Sequence, residues 1–240
     1  MKIFAKNYLN KIIMNKIFYY KIKKNIEKNI LNSQILSLEE KKRANAFKFE
    51  KDFNLYVAGK LLVKNKIASL LDLQPREIIF KTDQYDRPFL DNPKVKDFDF
   101  NLSHSGEYVV LAISDSRVGV DIERIKPIDL DLSKDCFHDK ERDFLLQNKN
   151  NQLDVFYTIW TLKESFIKAI GEGLSYPLKS FYFDIEKNKI NINILDNNYQ
   201  EKWIFKTYNI DNDYKLSVCC KYKESLNELI KENSLLNYSE

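Results

Sequence analysis

Two long segments of the chain carry apolar residues at helical spacing. The first runs from about Asp52 to Leu71, and the second runs from Asp154 to Ile170. A repeat near 3.6 residues predicts one amphipathic helix in each segment. Gln74-Pro75 ends the first helix, and Gly171 ends the second. The apolar positions are Phe53, Val57, Leu61 and Ile67 in the first segment, and Phe156, Ile159, Leu162, Phe166 and Ile170 in the second.

A shorter helix is predicted before the first long one. Ser37-Leu-Glu-Glu40 has the pattern of a capping box, in which the serine caps the helix and the glutamate bonds back to it. We expect this helix to extend to about Phe47. A further helix is predicted over Ser133–Gln147, after a break at Lys126-Pro127.

Short segments in which apolar residues alternate or run together predict strands. Tyr108–Ser114 and Val118–Glu123 are separated by Asp115-Ser116, and we expect them to form the two arms of a hairpin. The other predicted strands are Lys16–Ile22, Glu77–Lys81, 98–102, Phe181–Ile185, Ile190–Ile194, Trp203–Tyr208 and Tyr214–Cys220. A charged tail, with a short helix as an option, follows the last of them.

The order of these elements predicts an α+β fold with two similar halves. Each half, residues 1–118 and residues 119–240, carries an antiparallel meander packed with a long helix. The sequence contains neither a G-x-G-x-x-G motif nor a P-loop. The two standard nucleotide-binding folds are therefore not supported.

The composition agrees with a folded chain and limits the cellular compartments in which we expect the protein. Of the 240 residues, 44% are hydrophobic and 31% are charged, which excludes wholesale disorder. Three cysteines, two of them adjacent, form no disulfide framework and favour a reducing compartment. No apolar run approaches the ~20 residues that cross a bilayer, and lysines interrupt any signal-peptide core. We expect a cytoplasmic protein with no membrane partner.

The segment Gly119-Val-Asp121-Ile-Glu123 places two carboxylates on one face of a predicted strand. Two like charges this close repel each other unless a cation or a shared proton lies between them. Hard oxygen ligands suit Mg²⁺, which takes one or two carboxylates together with phosphate oxygens and water. Alternatively, the pair is a solvated strand end with Arg124 or Lys126 as its ion-pair partner.

The second long helix carries a charged group near its end. Glu164 and Lys168 are four residues apart and share one helix face, and Lys163 is adjacent to Glu164. One interpretation is a surface ion pair that contributes little to stability. The functional interpretation is a third metal carboxylate beside two ammonium groups that bind phosphate.

Two further segments have the chemistry to bind an anion. Ser103, His104 and Gly106 follow one another at a predicted strand end, where small hydroxyls and a histidine suit a phosphate. The turn Tyr85–Phe89 exposes the guanidinium of Arg87. The alternatives are a structural histidine and a solvated turn arginine.

Taken together, in this order and spacing, these segments resemble the 4′-phosphopantetheinyl transferases. The resemblance is to the long, pseudo-dimeric type that activates peptide and polyketide synthetases, known as the surfactin-synthetase-activator type. It covers about residues 35–183, and the matching motifs are Asp86-Arg87-Pro88, Asn101–Ser105, Gly119–Glu123 and Trp160–Leu174. It implies the pseudo-dimeric fold of that family, with the active site in a cleft between the halves.

The resemblance also implies an enzyme and its substrates. The family moves the phosphopantetheine arm of coenzyme A to a serine of an apo acyl or peptidyl carrier protein and releases 3′,5′-ADP. Asp121, Glu123 and Glu164 would hold Mg²⁺ against the pyrophosphate of coenzyme A. Lys163 and Lys168 would bind phosphates, with Lys168 nearest to the leaving group, so that Asp121 and Lys168 count as catalytic.

The remaining implied roles are at the coenzyme A end and at the carrier serine. Ser103 and His104 would contact the 3′-phosphate, as would Arg43 of the short helix. Arg87 and Pro88 match a Gly-Lys-Pro turn of the family that contacts coenzyme A, although arginine replaces lysine and Asp86 replaces glycine. In the segment after Ser133, the residue Glu141 would be the general base for the carrier serine. A pseudo-dimeric chain supplies both halves, so we expect a monomer.

Three alternatives compete with this interpretation. One is a transferase dedicated to fatty-acid acyl carrier protein, and another is a module that binds coenzyme A or a carrier without turnover. The third is a nucleic-acid binder, suggested by the net charge of +4. That class is disfavoured, because 35 acidic residues are interspersed among 39 basic ones.

Overall fold

The structure of the protein is a computed structural model, and it describes residues 15–186, 189–196, 198–221, 228–232 and 235. The helices among them are α1 (Leu38–Asn45), α2 (Glu50–Leu71), α3 (Ser133–Cys136), α4 (Asp139–Gln147) and α5 (Gln152–Ile170). The strands are β1 (Lys16–Lys21), β2 (Phe80–Thr82), β3 (Pro88–Leu90), β4 (Asp99–Ser105), β5 (Tyr108–Ser114), β6 (Val118–Arg124), β7 (Phe181–Glu186), β8 (Lys189–Ile194), β9 (Trp203–Ile210), β10 (Tyr214–Lys221) and β11 (Glu228–Glu232). In the described part of the chain, no helix is both long and apolar enough to span a membrane.

The described residues form two compact units, and the predicted α+β class is confirmed in each. Residues 15–115 with 228–232 and 235 make the first unit, and the described residues among 116–221 make the second. The predicted second half, 119–240, is therefore not continuous, because β11 pairs with β1 in a sheet of the first unit. For the charged tail, a short helix was predicted as an option, but residues 228–232 form strand β11 instead. Except for Leu235, the rest of the tail lies outside the described residues.

The first unit is built on a four-stranded sheet in the order β11-β1-β5-β4. Strand β1 is parallel to β11 and antiparallel to β5, which in turn is antiparallel to β4. All seven residues of β5 are buried, because the strand has a neighbour on each side and helix α2 packs against it. The predicted capping box is confirmed at the start of α1, where Glu40 N donates to Ser37 Oγ.

The predicted hairpin between β5 and β6 is wrong. Strand β5 pairs with β1 and β4, whereas β6 pairs with β10 of the second unit. The hairpin that forms here joins β4 to β5 through Gly106-Glu107. Gly106 has a φ of 59°, which two-residue hairpin turns favour and which glycine adopts without strain. Asp115-Ser116 is instead the point at which the chain passes from one unit to the other.

The second unit packs helix α5 on an antiparallel sheet of order β6-β10-β9. Strands β7 and β8 form a separate hairpin. The helix predicted over Ser133–Gln147 is interrupted, because Phe137 is extended, with φ −106° and ψ 143°. Helix α4 then begins behind His138, whose Nδ1 accepts a hydrogen bond from Lys140 N over 3.2 Å.

Candidate active site

Strand β6 approaches helix α5 at Gly119. A Cβ built on this residue would lie 1.9 Å from Ser165 O and 2.6 Å from Ala169 N, both of which are backbone atoms of α5. Only glycine allows the two backbones to come so close. Residues two apart on a strand share a face, so Asp121 and Glu123 are directed to the same side as this contact. Gly119 thus brings the two charged motifs of the sequence together.

Lys168 of helix α5 contacts the first of these carboxylates. Its Nζ lies 2.6 Å from Asp121 Oδ1. The side chain of Asp121 is 4% exposed, and that of Lys168 keeps 28% of its surface exposed. The pair therefore joins a buried carboxylate to a lysine side chain that is partly exposed.

Glu164 lies within electrostatic reach of both carboxylates of β6. Burial raises the pKa of Glu164, the charge of Asp121 raises it further, and the charge of Glu123 acts in the same direction. The ammonium of Lys168 opposes them by lowering this pKa. The structure therefore brings together the four residues Asp121, Glu123, Glu164 and Lys168, which the sequence places in two distant motifs.

The chemistry of this carboxylate cluster, defined as Asp121, Glu123 and Glu164, fits a divalent cation. All of its donors are carboxylate oxygens, which are the ligands that Mg²⁺ prefers. Burial, and after it the charges of Asp121 and Glu123, raise the pKa of Glu164, and a divalent cation would neutralise this concentration of negative charge. Among the residues that the structure describes, no three His, Cys, Asp or Glu side chains lie close enough together to hold an ion in their present positions. The fit is therefore one of donor type and charge.

Glu141 and Lys163 form a buried ion pair within the second unit. Lys163 Nζ lies 2.8 Å from Glu141 Oε2, and both side chains are 0% exposed. Lys163 also donates to the carbonyl oxygens of Leu178 and Phe181, over 2.8 and 2.9 Å. Glu141 accepts from the backbone nitrogens of His138 and Phe183, each over 3.0 Å. The pair joins α4, α5 and β7.

This placement does not agree with the roles predicted for Glu141 and Lys163. A general base must reach the serine hydroxyl, and a phosphate ligand must reach the phosphate. Neither side chain exposes surface, and both are engaged by protein partners. Burial raises the pKa of Glu141 and lowers that of Lys163, while each partner's charge opposes the shift in the other. We assign the pair to the internal packing of the second unit.

The residues predicted to contact the 3′-phosphate lie in the first unit and have different environments. Ser103 and His104 are consecutive on β4, so their side chains point to opposite faces. Ser103 is buried, whereas His104 is exposed. Arg43 is exposed on α1, with Cζ 5.5 Å from the ring centroid of Tyr56. Of this set, only Arg43 and His104 have accessible side chains.

Arg87 is not exposed at its turn, contrary to the prediction. It is 7% exposed, and its Nη2 lies 2.6 Å from Asp99 Oδ2 at the start of β4. The turn that precedes it contains Asp86 with a φ of 60°, which a glycine would adopt more readily. Pro88 is half-buried as the first residue of β3. The ion pair holds the β2–β3 hairpin against β4.

Gly119 is the residue whose importance the sequence did not reveal. Its motif was predicted to act through its carboxylates, whereas the glycine sets the distance between strand and helix. The available signal was a single glycine inside an apolar strand, a pattern that marks close approach of another backbone.

Two family models match successive parts of the chain. The model described as the 4′-phosphopantetheinyl transferase superfamily matches residues 117–219. A second, described as 4′-phosphopantetheinyl transferase, N-terminal, matches residues 25–116.

Curated relatives match most of the chain. 4′-Phosphopantetheinyl transferase Sfp of Bacillus subtilis (strain 168) is 34% identical over 200 residues, or 82% of this chain and 88% of that protein. 4′-Phosphopantetheinyl transferase gsp of Aneurinibacillus migulanus is 34% identical over 218 residues, or 89% of each chain. The human L-aminoadipate-semialdehyde dehydrogenase-phosphopantetheinyl transferase is 32% identical over 205 residues, or 76% of this chain and 66% of that protein. The chain therefore belongs to the 4′-phosphopantetheinyl transferase superfamily. Within it, the chain is an enzyme of the Sfp-like type.

Proposed function

We propose that the chain transfers the 4′-phosphopantetheine arm of coenzyme A to a serine of an apo carrier protein, with Asp121, Glu123, Glu164 and Lys168 as the reacting centre. The observation that carries this assignment is the convergence of both motifs on one side of β6, with Lys168 bonded to Asp121. It supports the roles that the resemblance implies for these four residues.

The reaction breaks the phosphoanhydride bond of coenzyme A and forms a phosphodiester with the carrier serine. The serine oxygen bonds to the phosphorus that carries the pantetheine arm, and the bond from that phosphorus to the oxygen of 3′,5′-ADP breaks. The serine loses its proton, and the leaving phosphate gains negative charge. Positive charge must therefore gather around the pyrophosphate. We propose that Lys168, whose side chain is 28% exposed, supplies part of it.

Mg²⁺ is the cation that we propose for the carboxylate cluster. When bound, it would neutralise the charge of the pyrophosphate. Asp121, Glu123 and Glu164 would be its protein ligands, and the buried position of Asp121 would keep competing water away from that carboxylate. We do not assign Glu141 and Lys163 to this centre, since both are fully buried and bind each other and backbone groups of the second unit.

Arg43 and His104 are our proposed contacts for the 3′-phosphate of coenzyme A. Both are exposed on the first unit, and each can donate to an anion. We do not include Ser103 and Arg87, because Ser103 is buried within β4 and the buried Arg87 pairs with Asp99 of that strand. As protein substrates we propose peptidyl carriers, with acyl carriers as the alternative, and we expect the enzyme to act as a monomer.

The transfer itself is tested by intact-mass measurement on two apo carriers, one peptidyl and one acyl, incubated with coenzyme A and Mg²⁺. The wild-type chain should add one phosphopantetheine group, and the ratio of rates between the carriers reports the preference. Asp121→Ala should lower kcat/KM by at least about 10²-fold, because it removes a buried charge from the centre.

Asp213→Ala is the matched control. Asp213 also pairs with a cation, Arg124, over 3.1 Å, but it is 43% exposed and lies outside the carboxylate cluster. It should leave the rate unchanged. Equal rates for Asp121→Ala and the wild type would refute the assigned centre, and coenzyme A binding without transfer would favour a binding module.

A further inference from the structure

Lys215 is a buried lysine of β10 that no motif includes. Its side chain is 7% exposed, and Nζ lies 2.8 Å from Asp154 Oδ1 in the first turn of α5. The same Nζ donates to Asn209 Oδ1 of β9 over 2.6 Å. A charge buried to this extent is costly unless partners compensate it. Two partners on separate elements therefore hold the ammonium in one place.

The register of the sheet places Lys215 beside the carboxylate cluster. Lys215 is directly opposite Glu123, and Ser217 is directly opposite Asp121. Residues opposite each other on antiparallel strands share a face, with Cβ atoms about 4.5–5.5 Å apart. Ser217 Oγ lies 2.7 Å from Thr161 Oγ1 of α5, so this face of β10 is turned to the helix. Lys215 and Glu123 are therefore neighbours under α5.

The charge of Glu123 reaches the same part of the helix. Burial raises the pKa of Tyr157, and the charge of Glu123 raises it further, against a hydrogen bond to the carbonyl of Lys126. Tyr157 follows Asp154 by three residues, which is about one helical turn. Glu123 thus borders the turn of α5 that begins with Asp154, the partner of Lys215.

We propose that Lys215 acts on the carboxylate cluster through its charge, by offsetting the charge of Glu123 and lowering the affinity of the cluster for a divalent cation. The inference rests on the proposed metal site. On this account the ion binds weakly to the carboxylates alone and more tightly once the pyrophosphate of coenzyme A adds its oxygens. Lys215 is a positioning residue in this account, since it touches neither the ion nor the substrate.

The proposal predicts the direction in which each of two substitutions changes the dissociation constant for Mn²⁺. Lys215→Met removes a positive charge and should lower the dissociation constant for Mn²⁺, a probe for Mg²⁺, by about three- to tenfold. Asp154→Asn removes the charge that offsets Lys215 and should raise that constant by a similar factor. Asp154 is 50% exposed, so this variant is the milder one for folding. A purely structural role for Lys215 predicts weaker binding in both variants.

The experiment is a titration of free Mn²⁺ by electron paramagnetic resonance, with the full chain at low ionic strength and without carrier or coenzyme A. Lys215→Arg keeps the charge and should bind as the wild type does. Lys221→Met is the matched control, because Lys221 ends the same strand and pairs with Glu201 far from the cluster. It should also bind as the wild type does.

Unchanged or weaker binding by folded Lys215→Met would overturn the proposal. If that variant does not fold, Lys215→Gln decides, because its neutral amide can still bind Asp154 and Asn209: tighter binding supports the proposal, and unchanged or weaker binding overturns it. Asp121→Ala distinguishes a failure of the proposed metal site from a failure of the role proposed for Lys215. If it binds Mn²⁺ as tightly as the wild type, the ion is held elsewhere, and the metal site fails together with the role of Lys215.

Discussion

The long helices of the two units pack against their sheets in similar ways, but their buried polar side chains have different partners. On α2, such side chains bind irregular segments of the chain through backbone or amide groups, and Lys64 also pairs with Glu40 of α1 over 2.8 Å. The hydrogen bonds are Ile26 N to Asn54 Oδ1, Lys64 Nζ to Ile35 O, and Asn65 Nδ2 to Leu235 O. Each one fixes a loop to the helix.

Helix α5 uses some of its polar residues in the same way and others differently. Lys163 binds the carbonyl oxygens of Leu178 and Phe181, much as Lys64 binds that of Ile35. Glu164, in contrast, has like charges near it. A polar group whose partners satisfy it stabilises a fold, whereas a cluster of like charges costs stability and is typical of a functional site. The comparison therefore supports, without reference to motifs, the proposal that Glu164 belongs to the reacting centre and Lys163 does not.

The sharpest test of this comparison is Lys163→Met. It leaves the carboxylate of Glu141 buried without its cation and should lower the free energy of unfolding by about 3–5 kcal/mol. Lys64→Met on α2 is the counterpart. Its partner Glu40 is 12% exposed and keeps Lys60, 3.4 Å away, so the loss should be smaller, about 1–2 kcal/mol. Urea denaturation of both variants measures the difference.

The double variant Lys163→Met/Glu141→Leu tests whether the pair is only structural. Removing both charges should recover most of the lost stability, and the transfer rate should stay close to that of the wild type. A stable double variant without transfer activity would restore Glu141 as a candidate base.

A second test compares one glycine from each helix–sheet contact. Gly119→Ala sets a methyl group against the backbone of α5, which cannot move aside, and should cost about 2–4 kcal/mol. Gly59→Ala on α2 meets Leu102 Cδ2 at 2.9 Å, the end of a side chain that can rotate. Alanine also favours the helix, so the net change there should stay within about 1 kcal/mol. Thermal unfolding of both variants checks this, and equal losses would contradict the special role of Gly119.

The smallest expected effects on stability come from replacing two glutamates by glutamine, and the two effects have opposite signs. Burial acts to raise the pKa of Glu40, but hydrogen bonds from Lys64 and Ser37 outweigh it and lower the pKa below its usual range. Glu40→Gln should therefore destabilise the chain at neutral pH, by about 1 kcal/mol. Its cost should disappear as the pH falls through the lowered pKa of Glu40, because the wild type then loses the same charge.

Glu164→Gln should do the reverse. Because burial and neighbouring carboxylates raise the pKa of Glu164, its ionised form costs stability at neutral pH. The amide should raise the melting temperature by about 2 °C while abolishing transfer. The gain should fade as the pH falls through the raised pKa toward the ordinary range. Melting curves across pH in metal-free buffer measure it, and a lower melting temperature at pH 7 would contradict the repulsion among the carboxylates.

The elements were largely predictable from local patterns, whereas their partners were not. Helical spacing located α2 and α5, and alternation located β7 to β10, because both depend on residues close in sequence. The false hairpin between β5 and β6 arose because adjacent strands were assumed to pair. Strand β6 instead pairs with the distant β10, while β5 pairs with the distant β1 and with its sequence neighbour β4. Strand β11 was missed because its short charged sequence, Glu228–Glu232, shows no alternation of apolar and polar residues.

The grouping of the carboxylates Asp121 and Glu123 was predictable from the sequence, but the exposure of the other charged side chains was not. The spacing of Asp121 and Glu123 on a strand fixes their common face. Whether Lys163 is exposed depends instead on carbonyl groups of Leu178 and Phe181, which lie 15 and 18 residues away. No local pattern carries that information. Motif identity therefore located the cluster, whereas the burial of Lys163 depends on packing that the motifs do not encode.

The pairing of β11 with β1 has a consequence for synthesis on the ribosome. Strand β11 follows every strand of the second unit in the chain, yet it completes the sheet of the first. Ser116 Oγ donates to Lys221 O, and Lys221 N donates to Arg117 O, so the entry and exit of the second unit lie side by side. We therefore expect the second unit to complete its sheet before the first unit does, although it is synthesised later. Until β11 has been synthesised, one edge of β1 in the first unit stays unpaired.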